Sequence, residues 1–182
     1  MSLKMIVATG LNFEIGIDDK LLWYLPEDMK YFKEKTLNSS FVIMGRKTFK
    51  SLNSPFGLKG RYNMVLTNKD MPIEDRFKRL DTNTCLIYPV WENAVQDTAV
   101  CCEESWLIGG SQIYEQFINL VDEIHWTRVE KVYPEANRFL SDKTIEVMIK
   151  EFDKGTRIKQ CYDEKSDTHF TINVLKRVKQ SS

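Results

Sequence analysis

Three short runs constrain the fold more than anything else in this chain: residues 4–10 (KMIVATG), 40–45 (SFVIMG) and 104–110 (ESWLIGG). Each is apolar and closed by glycine, which is how a strand buried on both faces reads. The second and third lead at once into helical stretches at 46–52 and 111–120, the latter with Ile113, Phe117 and Leu120 as its apolar stripe. Strand, glycine, helix is the unit of a parallel sheet, because parallel neighbours need a crossover between them. Further strands are expected at 61–67, 84–87 and 122–131, a helix at 90–97, and loops at 11–22 and 69–83. Residues 156–161 and 169–177 flank a polar turn at 163–167 and read as a closing antiparallel hairpin. The expectation is an α/β fold, one domain spanning residues 1–182, with a mostly parallel sheet and an antiparallel C-terminal strand. Met1-Ser2-Leu3 reads as a cloning remnant ahead of native sequence near Lys4, and the last few residues as a tail.

Charge narrows the function classes. Lys+Arg and Asp+Glu balance at 26 each, so the electrostatic footprint of a nucleic-acid-binding surface is missing. No apolar run approaches the roughly 18 residues of a membrane span, and the N-terminus lacks a signal-peptide layout, so a cytoplasmic protein with no membrane partner is expected. Cys85, Cys101, Cys102 and Cys161 have no C-x-x-C spacing and only two histidines to join them, so they read as reduced and no metal is expected. His125 and His169 have no matching nucleophile motif.

The stretch at 22–33 (LWYLPEDMKYFK) places an acid in an apolar neighbourhood. Pro26 suits a first helical position, and Met29 and Phe32 follow Asp28 at i+1 and i+4, on the inward side of the first turns. A carboxylate there is costly to bury without a partner, which a cationic or hydrogen-bond-donating ligand would supply. An acid decorating an exposed first turn is the other reading of the same residues.

Two strand-to-helix junctions, Gly45 with Arg46-Lys47-Thr48 and Gly109-Gly110-Ser111, fall where a parallel sheet binds ligands, outside the carboxyl ends of its strands. Neither matches G-x-G-x-x-G, and plain turn geometry accounts for each alone. With the basic pair they suggest a dinucleotide, and Arg46, Lys47, Thr67 and Asn68 favour an extra ribose phosphate, hence NADPH. Arg61 opens a strand after a turn, and its planar fork suits a carboxylate; an exposed arginine with no ligand is the alternative.

At this point the residues resemble a known family, dihydrofolate reductase. The resemblance is carried by Ile15-Gly16, WYLPED at 23–28, Phe32-Lys33, VIMGRKTF at 42–49, Gly60-Arg61, and Ile108-Gly109-Gly110 running to Tyr114 and Phe117. It implies a central twisted eight-stranded sheet flanked by four main helices, and reduction of dihydrofolate to tetrahydrofolate by NADPH in one-carbon and thymidylate metabolism. Asp28 matches the family's acidic site residue, expected to hold the amino-pyrimidine edge of the pterin and to promote protonation of its ring nitrogen. Ile6, Val7, Met29, Phe32, Leu52 and Ile108 match the pterin and benzoyl pocket, and Arg61 the arginine that binds the glutamate carboxylate. Trp23 and Thr127 match positions that hold water and the acid near the pterin. Ala8, Ile15, Gly16, Gly45, Arg46, Lys47, Thr48, Thr67, Asn68, Gly109, Gly110, Ser111, Gln112 and Ile113 match the cofactor wall, with Tyr114 beside the nicotinamide. The loop at 11–22 matches the one that closes over the site, and the resemblance implies a monomer open to antifolate inhibitors.

This chain departs from the family pattern at Leu22, where proline usually precedes the tryptophan, in a longer 56–59 segment, and at Gln112, basic in some members. Two other functions fit part of the pattern. A reductase of a ribosylated pyrimidine on the same fold would lack the acid that Asp28 supplies, and a non-enzymatic folate- or nucleotide-binding subunit would keep the pocket.

Overall fold

The computed structural model describes residues 2–18, 20–37, 41–54, 56–67, 77–80, 83–88 and 104–178. The strands are β1 Ser2–Thr9, β2 Glu14–Gly16, β3 Phe41–Gly45, β4 Tyr62–Leu66, β5 Phe77–Leu80, β6 Asn83–Tyr88, β7 Glu104–Gly109, β8 Glu123–Val129, β9 Arg138–Phe139, β10 Thr156–Asp163 and β11 Thr168–Lys176. Four α-helices lie among the described residues: α1 Pro26–Leu37, α2 Arg46–Ser51, α3 Ser111–Phe117 and α4 Asp142–Glu151.

The main sheet runs β10-β11-β8-β1-β7-β3-β4-β6-β5. Its centre is parallel, as the glycine-closed runs require, and β8–β11, β10–β11 and β5–β6 pair antiparallel. Among the described residues the sheet thus has nine strands where eight are expected, and both its edge pairings are antiparallel rather than the C-terminal one alone. The additional strand, β5, falls in the stretch read as loop, where charged residues hide the short pairing with β6. The helix expected at 90–97 lies outside the described residues. Helix α4 is capped by Ser141, whose hydroxyl accepts the Thr144 N–H at 3.3 Å.

Alternation along the central strands divides the interior in two. Met5 and Val7 of β1 and Ile43 of β3 face one layer, with Ile113 and Phe117 of α3 and Met148 of α4. Ile6, Val42 and Met44 face the other, with Tyr31 and Phe32 of α1 and Phe49 of α2 packed on them. Val42, Ile43 and Met44 have no exposed surface, which is worth roughly 2 kcal/mol apiece. Leu3 is likewise buried in β1, paired with Ser105, so it belongs to the core whatever its origin.

The segment after β1 is clasped to the one after β8. Strands β2 and β9 pair, the Leu140 N–H donates to the Phe13 carbonyl at 3.0 Å, and Asp18 and Asn137 exchange two hydrogen bonds. Glu14 is buried between the segments, its carboxylate accepting the Asn12 N–H at 2.7 Å and the Tyr133 N–H at 3.0 Å.

Candidate active site

The carboxyl ends of the parallel strands align along one edge of the sheet: Ala8 pairs with Thr127, Met44 with Gly109 and Gly45 with Leu66. Helix α1 begins with Pro26, and the Leu25 carbonyl accepts the Met29 N–H at 3.0 Å. Its first turn carries Asp28 onto β8, where the Thr127 hydroxyl donates to Oδ1 at 2.6 Å. Burial pushes the Asp28 carboxyl above its ordinary 3.8, and the Thr127 bond counters only part of that rise. The acid is therefore set in a poorly solvated pocket, with one protein hydrogen bond among the described residues.

Phe32, Ile6, Leu52 and Ile108 come together in the apolar layer beneath α1. Met29 is 39% exposed: one residue along a helix is a rotation of about 100°, which moves it from the inward face to the rim. Val7 stands apart, its side chain packing into the opposite layer, so only its backbone can face the pocket. Arg61 is more deeply set than a surface arginine. It is 8% exposed, with its guanidinium over the Phe32 ring and Nη1 donating to the Thr36 hydroxyl at 3.2 Å, and burial lowers its pKa. Trp23 packs on Tyr133, ring centroids 5.0 Å apart, in a third cluster with Leu25 and Phe170.

The two glycine junctions lie side by side at the ends of β3 and β7. A Cβ on Gly45 would meet Ile113 Cγ1 at 3.1 Å, and one on Gly110 would meet Thr48 Oγ1 at 3.3 Å, so each junction leans over the other's glycine. Gly109, at φ +121°, would press a Cβ against the Tyr114 hydroxyl at 3.2 Å. Tyr114 is buried, and its hydroxyl donates to the Ile6 carbonyl at 2.9 Å, tying this corner to the acid's pocket; burial raises its pKa. Arg46, Lys47 and Gln112 are exposed at the first turns, Thr48 and Ser111 are half-buried, and Thr67 is buried just past β4. Neither α2 nor α3 has an acid in its first turn. A close-packed glycine cradle with basic and hydroxyl side chains around it fits a phosphate-bearing dinucleotide. Ile15 and Gly16 sit on β2 in the flanking loop, and Asn68 lies outside the described residues.

The sequence profile of the family described as dihydrofolate reductase matches residues 2–177. The chain belongs to the dihydrofolate reductase family. Among its relatives, dihydrofolate reductase type 9 of Escherichia coli is 34% identical over 134 residues, 71% of each chain. The dihydrofolate reductase of Haemophilus influenzae is 33% identical over 130 residues, 71% of this chain and 73% of that one. A solved dihydrofolate reductase from Enterococcus faecalis, complexed with NADP(H) and RAB-propyl, superposes with a TM-score of 0.79 at 26% identity, covering 97% of this chain and 96% of that one.

The structure also brings in residues that sequence reasoning passed over. Tyr31 and His125 meet beside the Asp28–Thr127 contact, and Glu14 braces the flanking loop. Tyr31 is three residues from Asp28 on the helix and His125 two from Thr127 on the strand, which is the signal that would have found them. Among the described residues no helix is long and apolar enough to cross a membrane, and no group of three or more His, Cys, Asp or Glu could hold a metal.

Proposed function

We infer that this protein reduces 7,8-dihydrofolate to 5,6,7,8-tetrahydrofolate by hydride transfer from NADPH. The observation that carries the reading is Asp28, a carboxylate in an apolar pocket with Thr127 on one oxygen and the other left for a ligand. A carboxylate whose pKa is raised by burial gains most from a hydrogen-bond donor that takes on positive charge, and the amino-pyrimidine edge of a pterin is such a donor. Asp28 holds that edge and stabilises the positive character the ring acquires as its nitrogen takes a proton. Ile6, Phe32, Leu52 and Ile108 keep the ring dry, Met29 covers its rim, and Val7 offers backbone. Arg61, stacked on Phe32, receives the glutamate carboxylate of the substrate.

NADPH, when bound, supplies the hydride. Gly45, Gly109 and Gly110, with Thr48, Ser111 and Ile113, form the wall that holds it. Arg46, Lys47 and Thr67 meet the ribose phosphate, and Gln112 stands at the outer turn. Tyr114 orders the backbone of Ile6 between the two ligands, and Ala8, Ile15 and Gly16 border the nicotinamide side. Trp23 shields the acid's approach and orders water there. The reading carries with it a monomeric cytoplasmic enzyme of one-carbon metabolism, whose cleft also admits antifolates.

The test is NADPH absorbance followed on mixing with dihydrofolate. Rapid oxidation is expected. Tight NADPH binding without oxidation would instead favour a binding subunit, and oxidation only with a ribosylated pyrimidine would favour the reductase of that substrate.

A further inference from the structure

Helix α1 is held on β8 by two adjacent rungs. Thr127 donates to Asp28 at 2.6 Å, and one turn further on the Tyr31 hydroxyl meets His125 Nδ1, also at 2.6 Å. Asp28 and Tyr31 are i and i+3 on the helix; Thr127 and His125 share one face of the strand. The second rung is braced from behind. His125 Nε2 lies 2.7 Å from Glu123 Oε1, and Lys4 of β1 bridges Glu123 at 3.4 Å and Glu104 of β7 at 2.7 Å. Glu104 in turn accepts the Trp106 indole N–H at 2.8 Å, and the Trp106 ring meets the His125 ring edge-on at 4.7 Å.

The proton positions in this chain follow from its surroundings. Burial raises the Tyr31 phenol to about 12, with the Glu123 and Asp28 charges adding to the rise, so Tyr31 keeps its proton and donates. Burial lowers the His125 pKa against the pull of Glu123, with Lys35 and Lys4 also disfavouring a charged ring, so the imidazole is neutral. Burial would raise Glu123, but the His125 bond and Lys4 outweigh it and hold the carboxyl low. Nδ1 therefore accepts from Tyr31 and Nε2–H donates to Glu123, every bond in the series being satisfied in one direction. The charged groups facing His125 are Lys35 of α1, Glu123 of β8 and Lys4 of β1, with Glu104 of β7 beyond the Trp106 ring.

We propose that Tyr31, His125 and Glu123 are positioning residues for the reaction: they fix the rotation of α1 on the sheet and so the aim of the Asp28 carboxylate at the pterin. The inference rests on the reading of Asp28 as the ligand-binding acid. Phe32 packing and the Arg61–Thr36 bond hold the later turns of α1, and the second rung fixes the turn that carries Asp28. Hydride transfer is sensitive to such a pivot because displacement on the scale of 1 Å in a reacting pair costs orders of magnitude in rate.

The experiment measures single-turnover hydride transfer against pH, dihydrofolate KM and NADPH Kd for Tyr31→Phe, His125→Leu and His125→Asn. Tyr31→Phe and His125→Leu should slow hydride transfer about tenfold and move the pH of half-maximal rate, with NADPH Kd unchanged. His125→Asn places an amide oxygen near the Nδ1 position to accept from Tyr31, and should recover the rate to within about threefold of the parent. A Tyr31→Phe rate within about twofold of the parent at every pH, or His125→Asn as slow as His125→Leu, overturns the proposal. If Tyr31→Phe does not fold, the two His125 variants decide alone. Asp28→Asn runs alongside: if it keeps full turnover the reading of Asp28 as the ligand-binding acid fails, whereas if it is slow while Tyr31→Phe is not, only the positioning inference fails.

Discussion

Replacing Asp28 by asparagine should slow the enzyme and stabilise the protein at the same time. The change keeps shape and leaves an oxygen to accept from Thr127, so the 2.6 Å contact has a replacement. What disappears is the charge. Its loss removes the electrostatic stabilisation of a cationic ring, a contribution commonly worth about 2–4 kcal/mol, so hydride transfer should fall roughly 30- to 1,000-fold. Stability moves the other way. Burial raises the Asp28 pKa in the folded protein above its ordinary 3.8, so between the two values the native state binds more protons than the unfolded one. Stability contributed by this group is then present in acid and lost as pH rises through the folded-state pKa, and near neutral pH the ionised carboxylate is a net cost. Asparagine removes that cost, so Tm should rise at neutral pH, each 1 kcal/mol recovered being worth about 2–4 °C in a chain of this size. The gain should shrink as pH falls toward the ordinary carboxylate range and vanish below it. Stopped-flow NADPH oxidation and thermal unfolding across that pH range provide the two readouts. A variant with parental hydride transfer, or one less stable than the parent at neutral pH, would refute this account of the acid.

Gly109→Ala forces a Cβ into φ +121° and against the Tyr114 hydroxyl at 3.2 Å; it should cost about 1–3 kcal/mol by thermal unfolding and weaken NADPH binding in a fluorescence titration. Arg61→Lys exchanges a planar fork stacked on Phe32 for a point charge; dihydrofolate KM should rise about tenfold to a hundredfold with kcat nearly unchanged, and equal losses in both would argue against a role in substrate grip.

The parallel core was readable because its strands announce themselves: SFVIMG and ESWLIGG are too apolar and too short for anything but buried strands, and their glycines mark where the chain turns into α2 and α3. The start of α1 was readable from Pro26 for the same local reason. Elements whose identity depends on partners were not. Strand β5 exists through its pairing with β6, and β2 and β9 are three and two residues long, stabilised by each other across the fold. Helix α4 carries a local signal as well, Ser141 as cap with Ile145 and Met148 behind it. In the candidate site, Asp28 stands out in the sequence because an acid beside apolar residues is locally anomalous. His125 was set aside because its meaning lies in Tyr31 and Glu123, and only the α1–β8 packing brings Tyr31 to it. Val7 and Ile6 share a strand but face opposite layers, so only the backbone of Val7 can border the pocket.

The buried Glu14 bears on how this protein could be re-engineered or could diverge. Its carboxylate stitches the segment after β1 to the one after β8, so the two form one seam. A chimera that imports residues 11–20 from a relative while keeping the native 131–140 would mismatch both halves of the seam, whereas one that exchanges both together preserves it.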